Sequence, residues 1–142
     1  MGNRAVITTK GGDRKNKLGV YLHWNGGRDS VKAFLKYCDM RGFRYPEDDN
    51  YGWARLTQVI ANFFGGDLSI GIDICDRLDC DNWDNGVYLI EKWKIVGRED
   101  FHDGIEQDEY DLLSMVIDID QHQPKGDQIG EEEIRKKFEK GE

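Results

Sequence analysis

The order in which strand-like and helix-like hydrophobic periodicities follow one another is what most limits the folds open to this chain. "RAVITT" is a short β-prone run, and "LGVYLHW" sets Val20, Leu22 and Trp24 against Tyr21 and His23. The polar, basic stretch "GGDRKNK" between them reads as the tip of a hairpin. Residues 29–40 then switch to a helical period, with Val31, Phe34, Leu35 and Cys38 on one stripe and Gly42 just past the end. "YGWARLTQVIANFFGG" puts Trp53, Leu56, Ile60 and Phe63 on one face, widened by Val59 and Phe64. Asp49 or Asn50 is its candidate N-cap, and Gly65 and Gly66 stop it. A face that wide must be buried, so this is expected to be the central helix.

Further on, "DLSIGID" alternates, with Leu68, Ile70 and Ile72 on one side and Ser69, Gly71 and Asp73 on the other. "GVYLIEKWKIVGRE" reads as two strands around a tight turn at residues 92–93. "EQDEYDLLSMVIDIDQHQP" predicts a third helix, with Leu113, Val116 and Ile117 inward and Pro124 after its end. Single helices do not separate the strands, so the expected fold is α+β rather than doubly wound. It is a single domain over residues 1–124, with a mostly antiparallel sheet of about five strands packed by two or three helices. Residues 125–142 form a charged tail with the pattern of a short helix, in which Glu132 can pair with Lys136. Only Ile134 and Phe138 are there to dock it, so it is expected to fray.

The net charge is −8, and its distribution is uneven. Residues 1–44 hold ten Lys/Arg against three Asp, and residues 45–142 hold ten against twenty-five acids. Residues 99–120 contain nine acids and no Lys or Arg. Unlike halves imply an oriented field, suited to steering a partner or to pairing with a second copy, so a homo-oligomer is one expectation. Direct DNA binding is disfavoured, because most of the surface would repel phosphates. Three cysteines, Cys38, Cys75 and Cys80, form no ligand spacing and imply reduced thiols. No run approaches the ~18 apolar residues of a membrane span. Location in a cytosol is expected.

Two regions carry candidate sites. In "LHWNGGRDS", a strand leads through two glycines into a helix, which is one way to hold a phosphate. Gly26 and Gly27 allow close approach, Arg28 adds donors, and Trp24, with His23 beside it, can stack a base. Against this, Asp29 stands where the helix begins, and its carboxylate is expected to cap those amides itself. The turn also lacks the lysine of a Walker loop and the third glycine of a dinucleotide fingerprint. The other region is acidic. Asp73, Asp76, Asp79, Asp81 and Asp84 crowd one loop, with Trp83 between them as a candidate contact residue. An EF-hand template fails there: counted from Asp79, position 5 is Trp83 and position 12 is Ile90. An irregular calcium site and a solvated, turn-favouring loop remain open readings. Glu99, Asp100, Asp103, Glu106, Asp108, Glu109 and Asp111 precede or open the third helix, more acids than a helix dipole calls for. His23, His102 and His122 lie far apart in sequence, and Cys75 and Cys80 are five apart, so no metal, cofactor or catalytic set is expected.

"GVYLHWNGGRDSVKAFLKYC" and "YGWARLTQVIANFFGGDLSIGID" resemble segments of a group of small acidic proteins from phages and mobile elements of Gram-positive bacteria. The likeness spans residues 19–101 and carries no catalytic motif. It implies a context in which small accessory proteins neutralise host defence by binding a defence protein or its nucleotide signal. The expected function is therefore a non-catalytic binding protein. Its acidic residues Asp76, Asp79, Asp81, Asp84, Glu106, Asp108, Glu109 and Asp111, with Trp83, would meet the basic surface of a host defence or nucleic-acid-processing protein. The alternative is sequestration of a nucleotide immune signal by His23, Trp24, Gly26, Gly27 and Arg28.

Overall fold

A computed structural model describes residues 3–102, 104–106 and 108–141. Five strands, β1 (Ala5–Thr9), β2 (Leu18–Leu22), β3 (Ile70–Ile74), β4 (Val87–Glu91) and β5 (Lys94–Glu99), form one sheet in the order β3-β2-β1-β4-β5. β1 and β2 make the expected antiparallel hairpin, and β4 and β5 make a second. β3 lies antiparallel on β2, and only β1 and β4 run parallel. The architecture is α+β. The β4–β5 turn puts Lys92 and Trp93 at φ 51° and 62°. Two positive φ values at the tip suit the right-handed twist of the flanking strands. The Trp93 indole offsets the cost of that backbone by packing inward and donating to the Phe43 carbonyl at 2.9 Å.

Four helices, α1 (Arg28–Met40), α2 (Asn50–Phe64), α3 (Leu112–Gln121) and α4 (Glu131–Glu139), cover one face of the sheet. The periodicity of α1 is wider than its stripe: Val31, Ala33, Phe34, Leu35, Tyr37 and Cys38 are all buried. α1, rather than α2, is therefore the central helix, packed against α2, α3 and β5. α2 keeps Phe63 and Phe64 half-buried at its end, where Phe63 meets Phe34 edge-on at 5.4 Å. Asp49 caps α2 through the Tyr51 amide, and Gly65 closes it at φ 64°.

Two expectations about the helices change. α3 begins only at Leu112, because Asp111 caps it through the Ser114 amide at 3.1 Å and the residues before it are held elsewhere. The tail does not fray: Ile134 of α4 is fully buried in the main core. Asp120 ties the tail down. Its buried carboxylate accepts from the Ile129 and Gly130 amides at 2.7 and 2.9 Å and from the Tyr37 hydroxyl at 2.6 Å. On the opposite face, the turns Arg14–Asn16 and Cys75–Arg77 fold under the sheet. Cys75 and Cys80 there meet Val6 and Val87 in a smaller apolar cluster. Leu68 falls before β3 and is exposed, and Ile72 is half covered, because β3 is an edge strand that the helices only partly reach.

Candidate functional site

Strand register decides which loops meet. Val6 stands beside Val87, Ala5 beside Leu22, and Val87 beside Glu99. The beginnings of β1 and β4 and the ends of β2 and β5 therefore share one end of the sheet. Residues 23–27 and 79–86 and the described residues of 100–111 all leave from that end. The two candidate regions separated in sequence are thus neighbours: Arg28 approaches Glu106 at 3.7 Å. Asp29 makes the second link. Its Oδ2 accepts from the Glu109 and Tyr110 amides at 2.9 and 3.0 Å, while Oδ1 accepts from Ser30. The expected helix cap is only partly present: Gly27 is the N-cap of α1 and has no side chain to offer, and Asp29 takes one first-turn amide, that of Ser30. The Asp29 carboxylate is spent on fastening the acidic loop to α1.

Within 79–86, Asn82 organises the backbone. Its buried amide donates to the Asp79 and Gly86 carbonyls at 2.9 and 3.2 Å, and its Oδ1 accepts from Asp84, Asn85 and Gly86. Arg4 donates to Asp84 from both its backbone N (3.0 Å) and Nε (2.8 Å), and its Nη1 lies 3.3 Å from Asp79. Burial pushes the Asp84 carboxyl up, but the bonds from Arg4 outweigh it and hold the group below the usual carboxylate range. Asp81 pairs with His102, whose ring stacks on Trp83 with centroids 4.1 Å apart. Asp79 and Asp84 face Arg4 and Asp81 faces His102, which removes the oxygen cage an irregular calcium site would need; among the described residues no three His, Cys, Asp or Glu side chains converge as a metal-holding group. Asp76 is not part of this end. It lies on the turn Cys75–Arg77 beneath the opposite end, where Leu18 pairs with Ile74.

Arg98 on β5 is a second organiser that sequence reasoning missed. Its guanidinium lies 4.1 Å from the Tyr88 ring centre and 3.9 Å from that of Phe101. It donates to the Asn85 carbonyl at 2.7 Å and to both Glu106 oxygens at 2.6 and 2.5 Å. Arg14 reaches from the hairpin loop to Glu99 and Asp100 at 2.8 and 2.9 Å. The basic and acidic halves of the sequence thus pair inside one molecule. Fewer of the expected partner-facing acids are therefore free: Asp79, Asp84, Glu99, Asp100 and Glu106 meet arginines, and Asp111 is a cap. Asp103 lies outside the described residues. Asp108 and Glu109 are exposed, and among the described residues their side chains form no ion pair.

At the glycine turn, the Gly26 amide donates to the Asn3 carbonyl at 2.9 Å, and the Tyr88 hydroxyl donates to the Gly26 carbonyl at 2.7 Å. A Cβ on Gly26 would sit 2.5 Å from the Asn3 carbonyl oxygen. The glycine thus serves close packing of the turn on the chain entering β1, and its amide is already used. His23 Nδ1 bonds the Tyr21 hydroxyl at 2.9 Å, and Trp24 stands edge-on to His23, partly exposed.

What remains open at this end is aromatic and acidic. Trp24, Trp83, Ile105 and Tyr110 are half of the large apolar side chains left exposed among the described residues. Trp83 is the bulkiest of them: it is 69% exposed and sits at φ 64°. A bulky residue in that region carries a conformational cost. Asn25 and Asp100, at φ 55° each, share both the region and the location. Two of the thiols are disfavoured as thiolates. Burial, followed by the neighbouring Cys75, pushes the Cys80 thiol up to about 12, and burial likewise pushes Cys38 upward. Among the described residues, no helix is long and apolar enough to cross a membrane. No family model, curated protein or solved structure matches the chain.

Proposed function

We propose that this chain is a non-catalytic binding protein that seats the loop end of its sheet on a basic surface of a partner protein. The observation that carries this reading is Trp83, held outward at positive φ with its ring stacked only on His102. Folding gains little from such a residue, whereas interfaces draw much of their energy from exposed tryptophan and tyrosine. Trp24 and Tyr110 supply further aromatic contacts, and Asp108 and Glu109 supply unpaired charge at the rim. The internal arginine pairs make the end rigid, which lowers the ordering cost of binding.

The partner class follows from charge and from the resemblance of residues 19–101: a host defence or nucleic-acid-processing protein, inhibited by occupation of its basic surface. The nucleotide-sequestering alternative retains Trp24 and Arg28, while its Gly26 amide is already bonded to Asn3. Isothermal titration against a partner captured from host extract tests the reading. Binding should be stoichiometric and weaken as salt rises. Charge reversal at Asp108 and Glu109 should weaken it about tenfold, and Trp83→Ala by about thirtyfold or more, the effect of a ~2 kcal/mol contact. Turnover of a substrate beyond one equivalent, or binding indifferent to all three substitutions, would contradict it.

A further inference from the structure

A cavity of about 320 Å³ opens between α1 and β5, away from the exposed tryptophan. Arg28, Lys32 and Lys36 recur every fourth residue along α1, and Lys94 on β5 borders the same cavity. Leu35, Trp93, Ile95 and Leu112 make its apolar lining, and Asp39 is its single carboxylate. Acids outnumber Lys and Arg by 28 to 20 in this chain, so carboxylate partners are not scarce. Yet among the described residues Lys32 and Lys94 make no ion pair, Lys36 only overlies the Phe138 ring at 5.8 Å, and Arg28 has one distant carboxylate, Glu106 at 3.7 Å. Like charges gathered without counter-charge repel one another, and such a cluster costs stability unless something anionic offsets it.

From this convergence we propose that the α1–β5 cavity binds a small organic diphosphate, with its phosphates on the lysines and its apolar part on the lining. The positions of Arg28 and Lys36 are about 12 Å apart along α1, at ~1.5 Å per residue. A diphosphate presents more anionic oxygens to these cations than a single phosphate does, while a ring or an alkyl chain joined to it meets the apolar lining. The volume suits a small ligand. The apolar lining distinguishes the site from a purely electrostatic anion trap, and the site does not share the Trp83 surface.

Amide NMR titration of the full chain tests this with four probes: ADP, geranyl diphosphate, pyrophosphate and adenosine. ADP or geranyl diphosphate should shift resonances of residues 28–39 and 93–96 and bind at least tenfold more tightly than pyrophosphate or adenosine; which of the two wins tells whether the apolar part is a base or an alkyl chain. Lys32→Gln and Lys94→Gln, singly and together, should each weaken that binding several-fold without lowering the melting temperature, since both side chains are exposed. Lys92→Gln, on the neighbouring turn, should leave it unchanged, as should Trp83→Ala. The proposal is overturned if neither organic diphosphate moves these resonances at millimolar concentration. It is equally overturned if pyrophosphate or adenosine binds as tightly, or if the lysine variants bind like the wild type.

Discussion

Trp83 and Asp84 are adjacent and do opposite work. Asp84 is drawn inward by Arg4, and that pairing holds its carboxyl below the ordinary range although burial pushes the other way. In the unfolded chain the group protonates near its usual value of about 3.9. The pairing therefore stabilises the fold fully above that value, and the contribution is lost as the pH falls through the lower folded value. Asp84→Asn should flatten this part of an acid-unfolding curve followed by circular dichroism, with no change in the pH dependence above about 5. Trp83 is turned outward at φ 64°. Trp83→Gly removes the backbone cost and should leave the isolated protein as stable or more stable, by up to about 1 kcal/mol in chemical denaturation, while abolishing partner binding. A loss of several kcal/mol would mean that the ring supports the fold instead. Asp29 gives a third test. An Asn there presents a donor where two amides now donate, so hydrogen exchange at Glu109 and Tyr110 should accelerate while α1 stays protected.

At the level of elements, what was legible in the sequence was what is local. The hairpins, the α1 and α2 stripes, the Asp49 cap and the αL closure at Gly65 all follow from residues within one or two turns of each other. The errors lie where a distant group intervenes. α3 starts later than its acidic prelude suggests, because the backbone amides of Glu109 and Tyr110 are fastened by Asp29, some eighty residues away. α4 was expected to fray because its own apolar content is small; Asp120, in the run "VIDIDQ", supplies the missing anchor. A carboxylate at an otherwise apolar helical position was the available signal. Ile134→Ala should cost about 2–5 kcal/mol, and Asp120→Ala roughly 3 kcal/mol through unsatisfied donors, both far above what a frayed tail would lose. The order of the aspartate-rich loop likewise rests on Asn82, whose asparagine-rich turn pattern was readable but whose six backbone contacts were not.

On the scale of the molecule, several arginines of the basic half fold onto carboxylates of the acidic half. Arg4, Arg14 and Arg28, joined by Arg98 from within the acidic half, turn to carboxylates from residues 79–106, which leaves a smaller acidic rim around exposed aromatic side chains at one end of the sheet. Composition reports a total of −8 and cannot report this folding of charge onto charge. The consequence is specific: contact should be confined to the loop end, with salt sensitivity carried by a few rim carboxylates and not by the whole surface. Hydrogen–deuterium exchange of the chain, free and bound to its captured partner, measures that directly. Protection should appear at residues 81–86 and 104–111 and at Trp24, with β3 and the exposed face of α2 unchanged. Protection concentrated on β3 or α2, with the Trp83 loop exchanging as in the free protein, would contradict it.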